Sequence, residues 1–94
     1  MSATCVTLES FGTVVATPGA LEALAAAGVS AMSLLDRHGR GDWGEVDRED
    51  WRANDWSLAN GERLLSSYTV GGEVIWVITE RNREVTTVLL PSEY

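Results

Sequence analysis

The segment that most constrains the fold runs from Arg63 to Glu80, RLLSSYTV-GG-EVIWVITE. Two stretches rich in β-branched and aromatic residues flank Gly71-Gly72, and a two-residue hairpin turn wants that pair because its central positions need positive φ. Val74 to Ile78 is apolar at every position, which predicts a strand covered on both faces or set at the sheet centre. Arg81-Asn82-Arg83 reads as a polar turn, and Glu84 to Leu90 returns as another strand before Pro91. A chain with this ending has to build a sheet, and the residues before it have to cover one.

Upstream, Thr7 to Thr17 reads as a first strand, at the edge or in the middle of that sheet. Thr17-Pro18 starts a helix with a side-chain cap and a proline at the first helical position, and Gly28 ends it. Ser30 caps a second helix through about His38, with Gly39 as its stop signal. Asp47 caps a third helix to about Asn60, with Glu49 and Asp50 in its first turn and Val46 and Trp51 placed for a hydrophobic staple. Gly61 ends it. On a helical wheel Trp51 and Leu58 share a face, whereas Trp56 lies about 140° from Trp51, so both rings cannot point at one core. The order β-α-α-α-β-β-β predicts one α+β domain over residues 1–94: an antiparallel sheet of three to four strands with three short helices on one face.

Composition narrows the function. Ninety-four residues suffice for one modest core without metal or disulfide support. The single Cys5 cannot form an internal disulfide, no run is long and apolar enough to span a membrane, and no signal segment is evident, so a cytoplasmic protein is expected. The net charge is −7 and all seven cations are arginine. That balance disfavours direct contact with a phosphate backbone; it serves solubility or attracts a basic protein surface.

The unusual stretch is His38 to Gly61, which holds three of the four tryptophans and six of the fourteen acids. Its GDWG turn either presents Asp42 and Trp43 to a ligand or uses an Asx-type turn to plug Trp43 into the core. His38 with Asp42 and Asp47 is too sparse for a metal site, and no group is placed to fix the tautomer a general base would need. Ser66, Ser67, Thr86 and Thr87 offer hydroxyls without a nucleophile elbow or a nearby base. No Walker or dinucleotide pattern occurs, and no cofactor or metal is expected. On the third helix, Arg52 is spaced to reach Asp55 and Trp56 in a charge and cation–π cluster; Trp56 either belongs to a wide buried face or, exposed beside Arg and Asp, has the composition of an interface hot spot. Arg81-Asn82-Arg83 offers the only local positive charge, read as solvent-exposed turn residues.

The segments ATPGALEAL (16–24), RHGRGDWG (37–44), RLLSSY (63–68) and IWVITERNREVTTVLLPSEY (75–94) resemble a family of small uncharacterised bacterial proteins carried on plasmids, phages and integrated elements, loosely labelled plasmid-related or restriction-associated. The resemblance covers nearly the whole chain and implies a setting among mobile DNA, with no functional residue to carry over. The basic turn at Arg81-Asn82-Arg83 departs from the family pattern. The expected function is therefore a non-enzymatic protein that binds a protein partner and inhibits or modulates a host nucleic-acid-processing defence system, of anti-CRISPR or anti-restriction type. The expected partner-binding residues are Asp42, Trp43, Glu49, Asp50, Arg52, Asp55 and Trp56. A regulatory or toxin–antitoxin-like dimer, and a small enzyme centred on His38 and Asp42, are the alternatives.

Overall fold

A computed structural model describes residues 11–94. Its elements are β1 (Thr13–Ala16), α1 (Pro18–Ala27), α2 (Ala31–Gly39), α3 (Arg48–Asn60), β2 (Leu64–Val70), β3 (Glu73–Thr79) and β4 (Val85–Leu89), with a 3-10 turn at Pro91–Glu93. The fold is α+β. Cys5 and the first residues of the expected opening strand lie outside the described residues.

The hairpin forms as its glycines require: Gly71 and Gly72 have φ of 55° and 85°, and β2 and β3 pair antiparallel from Leu64↔Thr79 to Val70↔Glu73. The sheet order is β1-β4-β3-β2, which puts the apolar run of β3 between two neighbours. β4 pairs antiparallel with β3, but β1 pairs parallel with β4. The sheet is therefore mixed rather than wholly antiparallel. A parallel neighbour needs a long crossover, and α1 to β3 supply it. Among the described residues β1 begins at Thr13, after Gly12 turns the chain with φ of 66°; a Cβ there would lie 2.3 Å from the Glu84 carbonyl oxygen.

The helix caps follow the sequence closely. Thr17, Ser30 and Asp47 each accept a backbone N–H at the start of α1, α2 and α3, and Gly28 and Gly61 end α1 and α3 in the left-handed conformation. Gly39 is the last, buried residue of α2 rather than a left-handed stop after it; Arg40 is the C-cap, and Gly41 takes the positive φ of 82°.

Register places Ser66, Tyr68 and Val70 of β2, Ile75, Val77 and Thr79 of β3, and Thr86 and Val88 of β4 on one sheet face. The apolar members of that set pack with Ala20 and Leu24 of α1 and Leu34 and Leu35 of α2 into the main core. α3 sits apart from it. No α3 residue belongs to this cluster, and the side chains α3 buries are Asn54 and Ser57. It lies instead along the outer edge of β2, where the Asn54 side chain donates to the Leu65 carbonyl at 2.7 Å and accepts from the Leu65 N–H at 3.1 Å. Two helices thus cover the face and the third covers an edge, because the inward residues of α3 are polar and satisfy backbone groups rather than apolar surface. The rest of that edge is also taken up: Ser67 exchanges backbone bonds with Trp43 and Glu45, and Thr69 N–H reaches the Glu45 carboxylate. The opposite sheet face carries Trp76, which meets Tyr94 edge-on with ring centroids 5.9 Å apart.

Candidate functional site

His38 is fully buried, and its two ring nitrogens lie 2.6 Å from Ser66 Oγ (Nδ1) and 2.9 Å from Thr79 Oγ1 (Nε2). Thr79 Oγ1 is 2.8 Å from Thr86 Oγ1, which is 2.7 Å from the Phe11 carbonyl. The direction of this chain is fixed by counting protons. A carbonyl only accepts, so the single Thr86 hydroxyl proton goes to Phe11. Thr86 must then accept from Thr79, and Thr79 from His38 Nε2–H. His38 Nδ1 is left as the acceptor for the Ser66 hydroxyl. The imidazole is thus held neutral, in the Nε2–H tautomer, and a protonated ring would leave Ser66 nothing to donate to at Nδ1. Burial pushes its pKa down to about 4, with the Arg83 charge adding in the same direction.

This arrangement supplies Ser66 with the base that the sequence did not reveal, but it does not build a reactive centre. Ser66 and His38 are both fully buried, so neither reaches a substrate. Asp42 is not part of the relay: its carboxylate takes Arg37 Nε at 2.7 Å and the Gly44 N–H at 3.1 Å, and its carbonyl takes the Tyr68 hydroxyl at 2.6 Å. The Arg37 hydrogen bond holds the Asp42 carboxyl below the usual range. A groove of about 410 Å³ between α1 and the β2–β3 turn is lined by Glu22, Ala23, Ala27, Glu73 and neighbours, and by neither His38 nor Asp42. The pairing of His38 with Asp42 is accordingly replaced by two separate structural roles. Among the described residues no group of three His, Cys, Asp or Glu side chains is placed to hold a metal ion.

The relay was legible in principle. Ser66 falls in phase with Leu64 and Tyr68, Thr79 with Ile75 and Val77, and Thr86 with Val88, so three hydroxyls occupy inward strand positions. Inward hydroxyls need partners, and one histidine can serve them. Thr86→Val should cost about 1–3 kcal/mol, because it strips the Thr79 hydroxyl of its acceptor and the Phe11 carbonyl of its donor. Chemical denaturation of the variant beside wild type measures this.

The expected partner-binding residues divide in two. Trp43 is fully buried, edge-on to His38 at 5.5 Å, with its indole N–H donating to Asp55 Oδ1 at 2.9 Å. It plugs the core from its turn and presents nothing to a ligand, which corrects the partner-binding role; Asp42 serves as the Asx-type turn beside it. Asp55, itself exposed, accepts the Trp43 indole N–H and makes no ion pair with Arg52. Among the described residues the ion pairs are Arg37–Asp42, Arg40–Asp36 and Arg63–Glu80, and the cation–π contacts are Arg37 on Tyr68 and Arg63 on Tyr94. The cluster of Arg52 with Asp55 and Trp56 therefore does not form. Trp51 and Leu58 are half-buried together, as the wheel requires.

Among the residues that α3 exposes are Arg48, Glu49, Asp50, Arg52, Asp55 and Trp56. Trp56 has 59% of its surface open to solvent. In the Arg81-Asn82-Arg83 turn, Arg83 is not a solvated cation: at φ of 62° its guanidinium donates to the Glu62 carbonyl at 2.5 Å and the Ser57 carbonyl at 3.1 Å. It braces the C-terminal end of α3, where the Ser57 carbonyl also accepts the Gly61 and Glu62 N–H groups, and the chain just beyond it at Glu62. Comparison of the chain with family models, with curated proteins and with solved structures finds no significant match.

Proposed function

We propose that this chain is a small acidic binding protein that works by protein–protein contact through the outer face of α3. The observation that carries the reading is Trp56, 59% exposed on a helix capped at both ends and fixed to the β2 edge. A large aromatic held rigidly at the surface binds with little loss of conformational freedom, and such residues dominate interface energetics. Glu49 lies two turns from Trp56 along the same face and Asp50 about 120° round the helix, with Arg52 one turn away; the two carboxylates and the net charge of −7 favour a basic partner. The partner we propose is a nucleic-acid-processing protein of a host defence system, its basic groove filled by these carboxylates in the manner of an anti-CRISPR or anti-restriction inhibitor. The resemblance to proteins of mobile DNA supports that setting, and a cytoplasmic location goes with it. The reading requires no cofactor, metal, membrane or direct nucleic-acid contact.

The electrostatic half of the proposal is tested by Glu49→Lys with Asp50→Lys. Asp55 is left unchanged, because reversing it would break its bond to buried Trp43. Binding to a partner captured from the native host should weaken steeply with added salt in wild type, and the double reversal should abolish most of that salt dependence. Unchanged affinity and salt dependence would exclude the groove-filling version.

A regulatory or toxin–antitoxin-like dimer keeps one specific support. The outer edge of β2 is saturated by Asn54, Trp43 and Glu45, whereas β1 is the other edge strand, with Val14 and Val15 more than 40% exposed. Pairing of two copies would have to use β1. Light scattering that finds only monomer at high concentration would dispose of it.

A further inference from the structure

We propose that α3 is a separately opening unit, a cover latched over the outer edge of β2 with Asp55 as the latch. Most helices in small domains are held by an apolar face, and that is true of α1 and α2, whose Ala20, Leu24, Leu34 and Leu35 sit in the main core. α3 contributes no residue to that core. Its apolar contribution is limited to the half-buried Trp51 and Leu58, and its specific tethers are hydrogen bonds: Trp43 Nε1–H to Asp55, the Asn54 amide to both backbone groups of Leu65, and the Arg83 guanidinium to Ser57 and Glu62 carbonyls. Polar tethers of this kind each contribute modestly to net stability, since water replaces them on opening.

The ends of the element suit an opening motion. Gly61, just past α3, has φ of 71° and a Cβ there would meet nothing within 4 Å, while Gly44 before α3, with φ of 76°, is fixed against the Ser67 carbonyl and the Tyr68 ring, so the opening segment starts after Gly44. A helix of 13 residues is marginal alone in water, so release and melting of α3 coincide. The main core on α1, α2 and the sheet would remain. Opening would bare the Leu65 N–H and C=O and the Trp43 indole N–H, and so convert a saturated strand edge into one that accepts an extended chain. The inference goes beyond what α3 binds and does not depend on it.

Native-state hydrogen exchange of the full chain in increasing urea, with no partner present, tests this. Amides from Trp51 to Asn60 should exchange at least about tenfold faster than those of Val77 and Ile78 in β3, with a weaker dependence on urea. Asp55→Ala should raise exchange in α3 by about a further tenfold and leave β3 unchanged, because it removes the acceptor of a buried indole N–H. Equal rates and equal urea dependence for α3 and β3 in wild type would overturn the proposal. So would an Asp55→Ala variant that speeds both elements alike. Should that variant not fold, the wild-type comparison alone decides. A protein that passes this test and binds no partner through Trp56 would retain the hinge and lose the proposed function.

Discussion

Trp43→Ala is expected to be the most destabilising single truncation in the tryptophan-rich connector, costing about 3–5 kcal/mol. Three losses add up at this position. The indole is fully buried, so its removal leaves a large cavity beneath the turn. The edge-on contact with His38 at 5.5 Å disappears, and with it a wall of the site that keeps the imidazole dry. The bond from Nε1 to Asp55 goes too, which loosens α3. A domain of this size holds a net stability near the low end of about 5–15 kcal/mol. The melting temperature should therefore fall by about 15–30 °C, or the variant should fail to fold. Trp56→Ala, at an exposed position, should stay within about 0.5 kcal/mol of wild type. The contrast between two tryptophans thirteen residues apart in sequence is read by thermal denaturation. Near-equal melting of the two variants would contradict the burial assigned to Trp43.

Acid should destabilise the fold in a window set by His38. In the unfolded chain the imidazole titrates near its ordinary value of 6.5; in the fold, burial holds it at about 4. The unfolded state therefore takes up a proton first as pH falls. Stability is flat above about pH 7, declines from about 6.5 downward, and is lower by about 3 kcal/mol at pH 4. Below that the His38 contribution no longer changes. Asp42 and Glu93 also have lowered pKa values, but stability that rests on a depressed carboxylate is lost only as pH falls into the ordinary carboxylate range, so the decline from 6.5 to about 5.5 belongs to His38 and the carboxylates add to it below that. Urea denaturation at pH 7, 5.5 and 4 reads the decline. His38→Gln removes the titrating group and should flatten the curve. If that variant does not fold, a proton–nitrogen NMR titration of wild type serves, in which His38 should remain neutral at pH 5 with the proton on Nε2. An imidazole titrating near 6.5 would show that the relay is not closed.

The parts of this structure that were legible in the sequence are those set by neighbours in the chain. Thr17, Ser30 and Asp47 cap their helices, and Gly71-Gly72 turns its hairpin, because each rule needs only a few adjacent residues. That Trp51 and Trp56 diverge follows equally from the period of one helix, but that Trp56 stays outside rather than widening a buried face does not. What escaped depends on partners far along the chain. The parallel pairing of β1 with β4 is decided by packing, not by either strand. Arg83 looks like a turn cation until α3 brings its carbonyls within reach, and the Arg52–Asp55 pairing fails because Asp55 has a better use at Trp43. His38 sits at an intermediate case. The inward phase of Ser66, Thr79 and Thr86 was readable strand by strand, but only the sheet register sets the three hydroxyls around one ring.

The connector from His38 to Gly61 thus has two parts: Trp43 belongs to the interior and is tied to exposed Asp55, and Trp56 with Glu49 and Asp50 belongs to the surface. The most direct measurement is the affinity of the captured partner for purified wild type and for Trp56→Ala, determined by calorimetric titration after matched melting curves are confirmed. Loss of a hot-spot aromatic should raise Kd by about thirtyfold or more while the fold is unchanged. An affinity equal to wild type, with the same melting temperature, would remove Trp56 from the contact and the outer face of α3 from its proposed role.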